Sequence, residues 1–282
     1  MLATSKDITS VYRVSGALVA LVITTSIFGL VFGSRGLYDA YTASLAGLVG
    51  QDIASLAVGL PVLLWSMRSA RRGSVPALLV WAGTLFYFAY SYLFLVLGGF
   101  NALFILYVVI VAASLHGLLG LLFALDPEAI RGRFDASTPR RLAGGFLAGT
   151  ALLFAVMWGG MSAAMIAAGQ RPDPVVHLVV AIDGVVLLPA LLLGGTKLWR
   201  GAAWGYALGG VLLTKATLTG LTLAFTTALG GVWAGTLDSF NAFLLVLFGL
   251  MGLIGFGLLL SYLRHVGEGT SRLSAGGAQA HV

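Results

Sequence analysis

Along this chain, polar residues gather in short clusters, and between the clusters run about twenty apolar residues at a time. Eight such runs can be drawn, at 11–33, 51–70, 75–98, 101–125, 142–168, 174–198, 202–229 and 240–263. At about 1.5 Å of rise per residue, each is long enough to cross the ~30 Å hydrocarbon layer of a bilayer as a helix. Inside hydrocarbon an unpaired backbone amide costs several kcal/mol, so a helix is the economical form for such a run. The pattern predicts an all-α fold: a polytopic membrane protein with eight transmembrane helices.

The pattern also repeats. Arg13, Gly16 and Ala20 recur 128 positions later as Arg141, Gly144 and Ala148, and Leu60-Pro61 with Arg72-Gly73 recur as Leu188-Pro189 with Arg200-Gly201. Phe100-Asn101-Ala102 returns as Phe240-Asn241-Ala242 and Gly117-Leu118-Leu119 as Gly257-Leu258-Leu259, now at an offset of 140. One insertion around Gly230–Ser239 accounts for the change of offset. Ordered matches with one insertion predict a tandem duplication into two parallel four-helix repeats, related by an axis along the membrane normal. The organisation expected is a first repeat over 1–125, a linker over 126–140, a second repeat over 141–266 and a disordered tail over 267–282, rich in Ser, Gly and Ala. In the linker, Asp126-Pro127-Glu128 has the form of a helix start: a capping aspartate, a proline in the first turn and an acidic residue after it.

Composition agrees: 59% of residues are hydrophobic, 9% are charged and the mean hydropathy is +0.99. Cations are placed unevenly. With both termini on one side, that side carries Lys6, Arg13, Arg68, Arg71, Arg72, Arg131, Arg133, Arg140, Arg141, Lys197, Arg200, Arg264 and Arg272, and the other only Arg35 and Arg171. This asymmetry predicts cytoplasmic termini in a plasma (inner) membrane. The pI of 9.8 then reflects topology and contact with anionic lipid, and nothing in the basic clusters suits nucleic acid. The chain has no cysteine, which excludes disulfides and thiolate metal sites.

Three packing features stand out. Gly201, Gly205 and Gly209 form a ladder of small residues in the seventh span, suited to a close helix neighbour. Pro61 and Pro189 lie inside matching spans and are expected to kink them. Trp199, Trp204 and Trp233 sit where tryptophans anchor at the membrane interface.

Candidate chemistry begins with Lys215, a cation near the middle of a span, where a charge is expensive. On a helix Lys215, Thr219, Thr222 and Thr226 share one face. Asp183 in the sixth span is the expected counter-ion, although Lys215 lies about 8 Å deeper by helical rise, so contact would need the lysine to extend or a water to bridge. In the first half Tyr87 and Ser91 stand at the positions of Lys215 and Thr219, with Tyr90 beside them. Gln51-Asp52 is placed at the outer start of the second span, with Asp52 either capping and solvating the interface or guarding the mouth of a pathway. His116 lies opposite Phe256 in the repeat and is expected to be a hydrogen-bonded core residue. Without a second deep histidine no haem is expected, and no cofactor or metal site is predicted.

The leading functional expectation is a carrier or channel for a small solute or ion, with proton coupling as one option. Its pathway residues would be Lys215, Asp183, Tyr87, Tyr90, Thr219, Thr222 and Asp52. Two alternatives stand beside it: an intramembrane enzyme acting on a lipid or isoprenoid-like substrate, and a membrane scaffold or assembly subunit without catalysis. The partners expected are the lipid bilayer, the small solute, ion or lipid, and a second copy of the chain, with nucleic acid excluded.

Overall fold

A computed structural model describes residues 7–41 and 43–267, and among them there are nine helices. Eight are long and apolar enough to cross a membrane: α1 (Thr9–Arg35), α2 (Leu45–Arg71), α3 (Val75–Gly98), α4 (Phe104–Ala124), α6 (Arg140–Ala167), α7 (Pro174–Trp199), α8 (Ala203–Ala234) and α9 (Ser239–Arg264). The ninth, α5 (Pro127–Arg131), lies in the linker. Lys6, Arg272 and nearly all of the tail lie outside the described residues.

Capping side chains explain several helix starts. Ser44 accepts from the Gly47 amide, Ser74 from Ala77, Asp126 from Ala129, Asp173 from Val175 and Asp238 from Asn241. Each satisfies an amide that has no partner within the first helical turn. The Ser44 cap also corrects the expected start of the second span: α2 begins at Leu45, six residues before Gln51, because the Gly- and Ala-bearing stretch after Ser44 is helical too. Asp52 is therefore an interior residue and no helix cap.

The two spans with internal prolines share a second feature. Residues Ser55–Gly59 of α2 and Asp183–Leu187 of α7 form a π turn, in which the amides of Leu60 and Leu188 reach the carbonyls of Ser55 and Asp183. The next residue in each case is the proline, which has no amide proton and whose ring crowds the carbonyl four residues back. Opening the helix to a five-residue turn relieves that crowding.

At the centre α3 packs against α8. In their most apolar stretches 78% and 72% of residues are buried, against 44% or less in every other span. Their crossing is close because Gly83 faces Val211 and Thr214, while Gly210 faces Leu79. Around this pair, α3 also packs on α2 and α4, and α8 on α7, α9 and α2. The glycine ladder divides. Gly205 lies against the backbone of Lys197 and Leu198 at the end of α7, and Gly209 against Leu198 and Tyr262. Gly201 takes the left-handed turn (φ +74°) before α8.

The outer contacts are unequal. Helix α1 lies along α4, whereas α6 stands off from α9 and leaves an apolar groove of about 320 Å³ lined by Gly149, Leu153, Phe154, Leu247, Met251 and Ile254. His116 is exposed on the surface of α4, so the core role expected for it is not found. The linker is strapped to the ends of α8 and α9. Phe134 packs at a tilt against Tyr206 and Tyr262 with centroids 5.0 and 4.7 Å away, the Asp135 amide donates to the His265 carbonyl, and the Gly267 amide donates to the Arg133 carbonyl.

Candidate functional site

The expected polar stripe on α8 divides into two clusters, because α3 meets α8 with tyrosines on two of its faces. The first cluster joins α3, α6, α7 and α8. Asp183 opens the π turn of α7 and is buried. One carboxylate oxygen accepts the Tyr90 hydroxyl at 2.5 Å, and the other accepts the Trp158 indole N–H at 2.9 Å. The ammonium of Lys215 sits over the face of the same Tyr90 ring, 3.5 Å from its centroid, with the Phe86 ring 5.9 Å away. No ion pair within 4.0 Å joins Lys215 to Asp183 among the described residues. Tyr90 lies between the charges, its π face to the cation and its hydroxyl to the anion. Lys215 is 1% exposed and Asp183 4%, so both are sealed from either face. The hydroxyl of Thr219, one turn beyond Lys215, is also buried and has no hydrogen-bond partner.

The second cluster joins α2, α3 and α8 and is neutral. Tyr87 shares a hydrogen bond of 3.1 Å with Thr222, and the Gln51 amide donates to Tyr87 at 3.0 Å and to Ser55 at 3.1 Å. Its correspondence with the charged cluster is positional: Ser55 and Asp183 each open a π turn 128 residues apart, and Tyr87 and Lys215 are separated by the same interval.

Asp52 belongs to neither. It is buried and accepts the Tyr38 hydroxyl at 2.6 Å, pressed against the bare backbone of Gly29. Tyr38 comes from the turn between α1 and α2. Its burial, together with the neighbouring Asp52 carboxylate, raises the phenol well above its usual range, which keeps it a donor.

Of the residues singled out in the sequence, Lys215, Asp183 and Tyr90 lie together in one cluster and Tyr87 and Thr222 in another, while Trp158 and Tyr38, the donors to Asp183 and Asp52, were not singled out. A tryptophan nine residues short of the end of α6 lies away from the interface, where its N–H must find a buried acceptor, and that depth was the available signal. Compared with protein-family models, characterised proteins and solved structures, the chain matches none.

Proposed function

We propose that the chain is a carrier of a small solute or ion, held here in an occluded state, with Lys215, Tyr90 and Asp183 as its charge-bearing element. One observation carries this reading: two opposite charges are buried in the bundle yet held apart by an aromatic ring, and among the described residues no carboxylate lies within 4.0 Å of the ammonium. A scaffold would gain most by closing a direct, fully hydrogen-bonded ion pair, because a partly satisfied buried charge costs several kcal/mol. An uncommitted ammonium beside a carboxylate suits a group that exchanges a proton or receives an anion during a cycle.

The tandem duplication belongs to the same proposal. The matching π turns and the central α3–α8 pair favour two four-helix units rotating against each other about the cluster, with Tyr87, Thr222 and Gln51 as the neutral counterpart. Orientation by charge puts both termini in the cytoplasm of an inner membrane.

The test is flux in reconstituted vesicles. The double variant Asp183→Asn with Lys215→Met should fold, since the duplication would put the neutral Tyr87 at the equivalent place, and should lose proton-linked or solute flux. Full flux from a well-folded double variant would return Lys215 to a structural role.

The enzyme reading has one observation in its favour. The groove between α6 and α9 ends at Phe154, whose ring stacks 6.1 Å from Trp158, the donor to Asp183. A hydrocarbon chain in that groove would lead towards the carboxylate. Turnover of a lipid or isoprenoid-like substrate by vesicles that show no flux would favour this second reading.

A further inference from the structure

Around Asp52, α1, α2, α3 and α4 all contribute polar side chains. Besides the Tyr38 hydroxyl, Ser26 of α1 approaches the carboxylate. Tyr92 of α3 holds Thr25 and Ser26 at 3.3 Å each, and the Tyr107 ring of α4 lies 5.9 Å from the Tyr92 ring. Tyr107 is 1% exposed, and its hydroxyl, close to Asn101, Tyr38 and Asp52, makes no hydrogen bond of normal geometry among the described residues. Ser114, two turns further along α4, is fully buried and also lacks a partner. Among the described residues no basic group lies within 4.0 Å of Asp52.

Under the tandem duplication proposed above, on which this inference rests, the fold itself does not require these polar groups. The residues 128 positions after Thr25, Ser26 and Asp52 are Leu153, Phe154 and Val180, and those 140 positions after Tyr107 and Ser114 are Leu247 and Ile254. Four of these five line the apolar groove between α6 and α9. The same stations are thus filled with hydrocarbon in one half and with a carboxylate and hydroxyls in the other. Burying a carboxylate with no basic partner, and the Tyr107 and Ser114 hydroxyls with no hydrogen bond, is costly, so their presence at stations where leucine and phenylalanine serve favours a ligand.

We infer that this oxygen cluster is a binding site for one sodium-sized monovalent cation, held by Asp52 and by the hydroxyl oxygens of Tyr38, Ser26 and Tyr107. Oxygen-only donors select a hard cation. A single carboxylate neutralises one positive charge, so the loaded site is neutral in hydrocarbon, whereas a divalent ion would leave a net charge. The site is separate from the Lys215 cluster, and because binding is measured directly, its test is independent of the carrier reading.

The experiment is thermal unfolding and titration calorimetry on the purified full chain at alkaline pH, with sodium chloride replaced by choline chloride at constant ionic strength. Sodium should raise Tm in a saturable way, and choline should not. Tyr107→Phe, which keeps the ring and removes one oxygen, should weaken sodium binding by at least about tenfold, with little change of Tm in choline. Asp52→Asn should abolish the sodium effect. A Tm that ignores sodium, or a sodium effect that persists in Asp52→Asn, would overturn the site and leave Asp52 as a protonated hydrogen-bonding residue. If Asp52→Asn fails to fold, wild-type calorimetry and Tyr107→Phe decide the matter, because unchanged affinity in the latter equally counts against the site.

Discussion

At the scale of single residues, Tyr90 is the side chain that touches both buried charges. In a double-mutant cycle of Asp183→Asn and Lys215→Met, a coupling energy of about 0.5–3 kcal/mol is expected from detergent stability. Repeated in a Tyr90→Phe background, which keeps the ring under the ammonium but removes the hydroxyl from the carboxylate, the coupling should fall below about 0.5 kcal/mol. Persistence of the full coupling would show that the charges interact directly. Trp158→Phe should cost about 1.5–3 kcal/mol, the range for a hydrogen bond to a charged group, and the loss should vanish when Asp183 is already asparagine. These positions also mark how far the site was legible. Lys215 and Asp183 stand out because a charge inside an apolar run has no cheap explanation. The link between them does not, because a tyrosine face and edge are read only once three helices are in place.

At the scale of helices, span number and approximate extent follow from apolar run length, because a helix satisfies the backbone of each run within the run itself. The start of α2 was displaced because glycine and alanine near Ser44 weaken the apolar signal without preventing a helix. The π turns were foreshadowed only as expected kinks at Pro61 and Pro189, since a sequence names the missing amide and not the way the helix absorbs it. Two glycines give an element-scale prediction. A Cβ on Gly205 would meet the backbone of α7, whereas one on Gly149 would meet nothing within 4 Å. Gly205→Leu should therefore lower stability by at least about 1–3 kcal/mol, the cost of overpacking, while Gly149→Leu should be tolerated. Equal melting temperatures for the two variants would contradict the close α7–α8 approach.

At the scale of the whole molecule, orientation is open to direct measurement because the chain has no cysteine of its own. Single cysteines introduced by Ser74→Cys or Ser137→Cys should react with a membrane-impermeant thiol reagent only after cells are opened. Gln170→Cys and Thr236→Cys should react in intact cells. The opposite pattern would invert the topology inferred from charge. The strap on the face that carries the termini bears on how the halves can move. A free coil of some fifteen residues would let its ends wander by roughly 20 Å. Here that length is taken up by α5, by Phe134 between Tyr206 and Tyr262, and by backbone bonds to His265 and Gly267. The tether has almost no slack, so in the proposed carrier cycle the clasped end would act as the pivot, and the wide excursions would belong to the far end, where Tyr38 and the start of α7 stand.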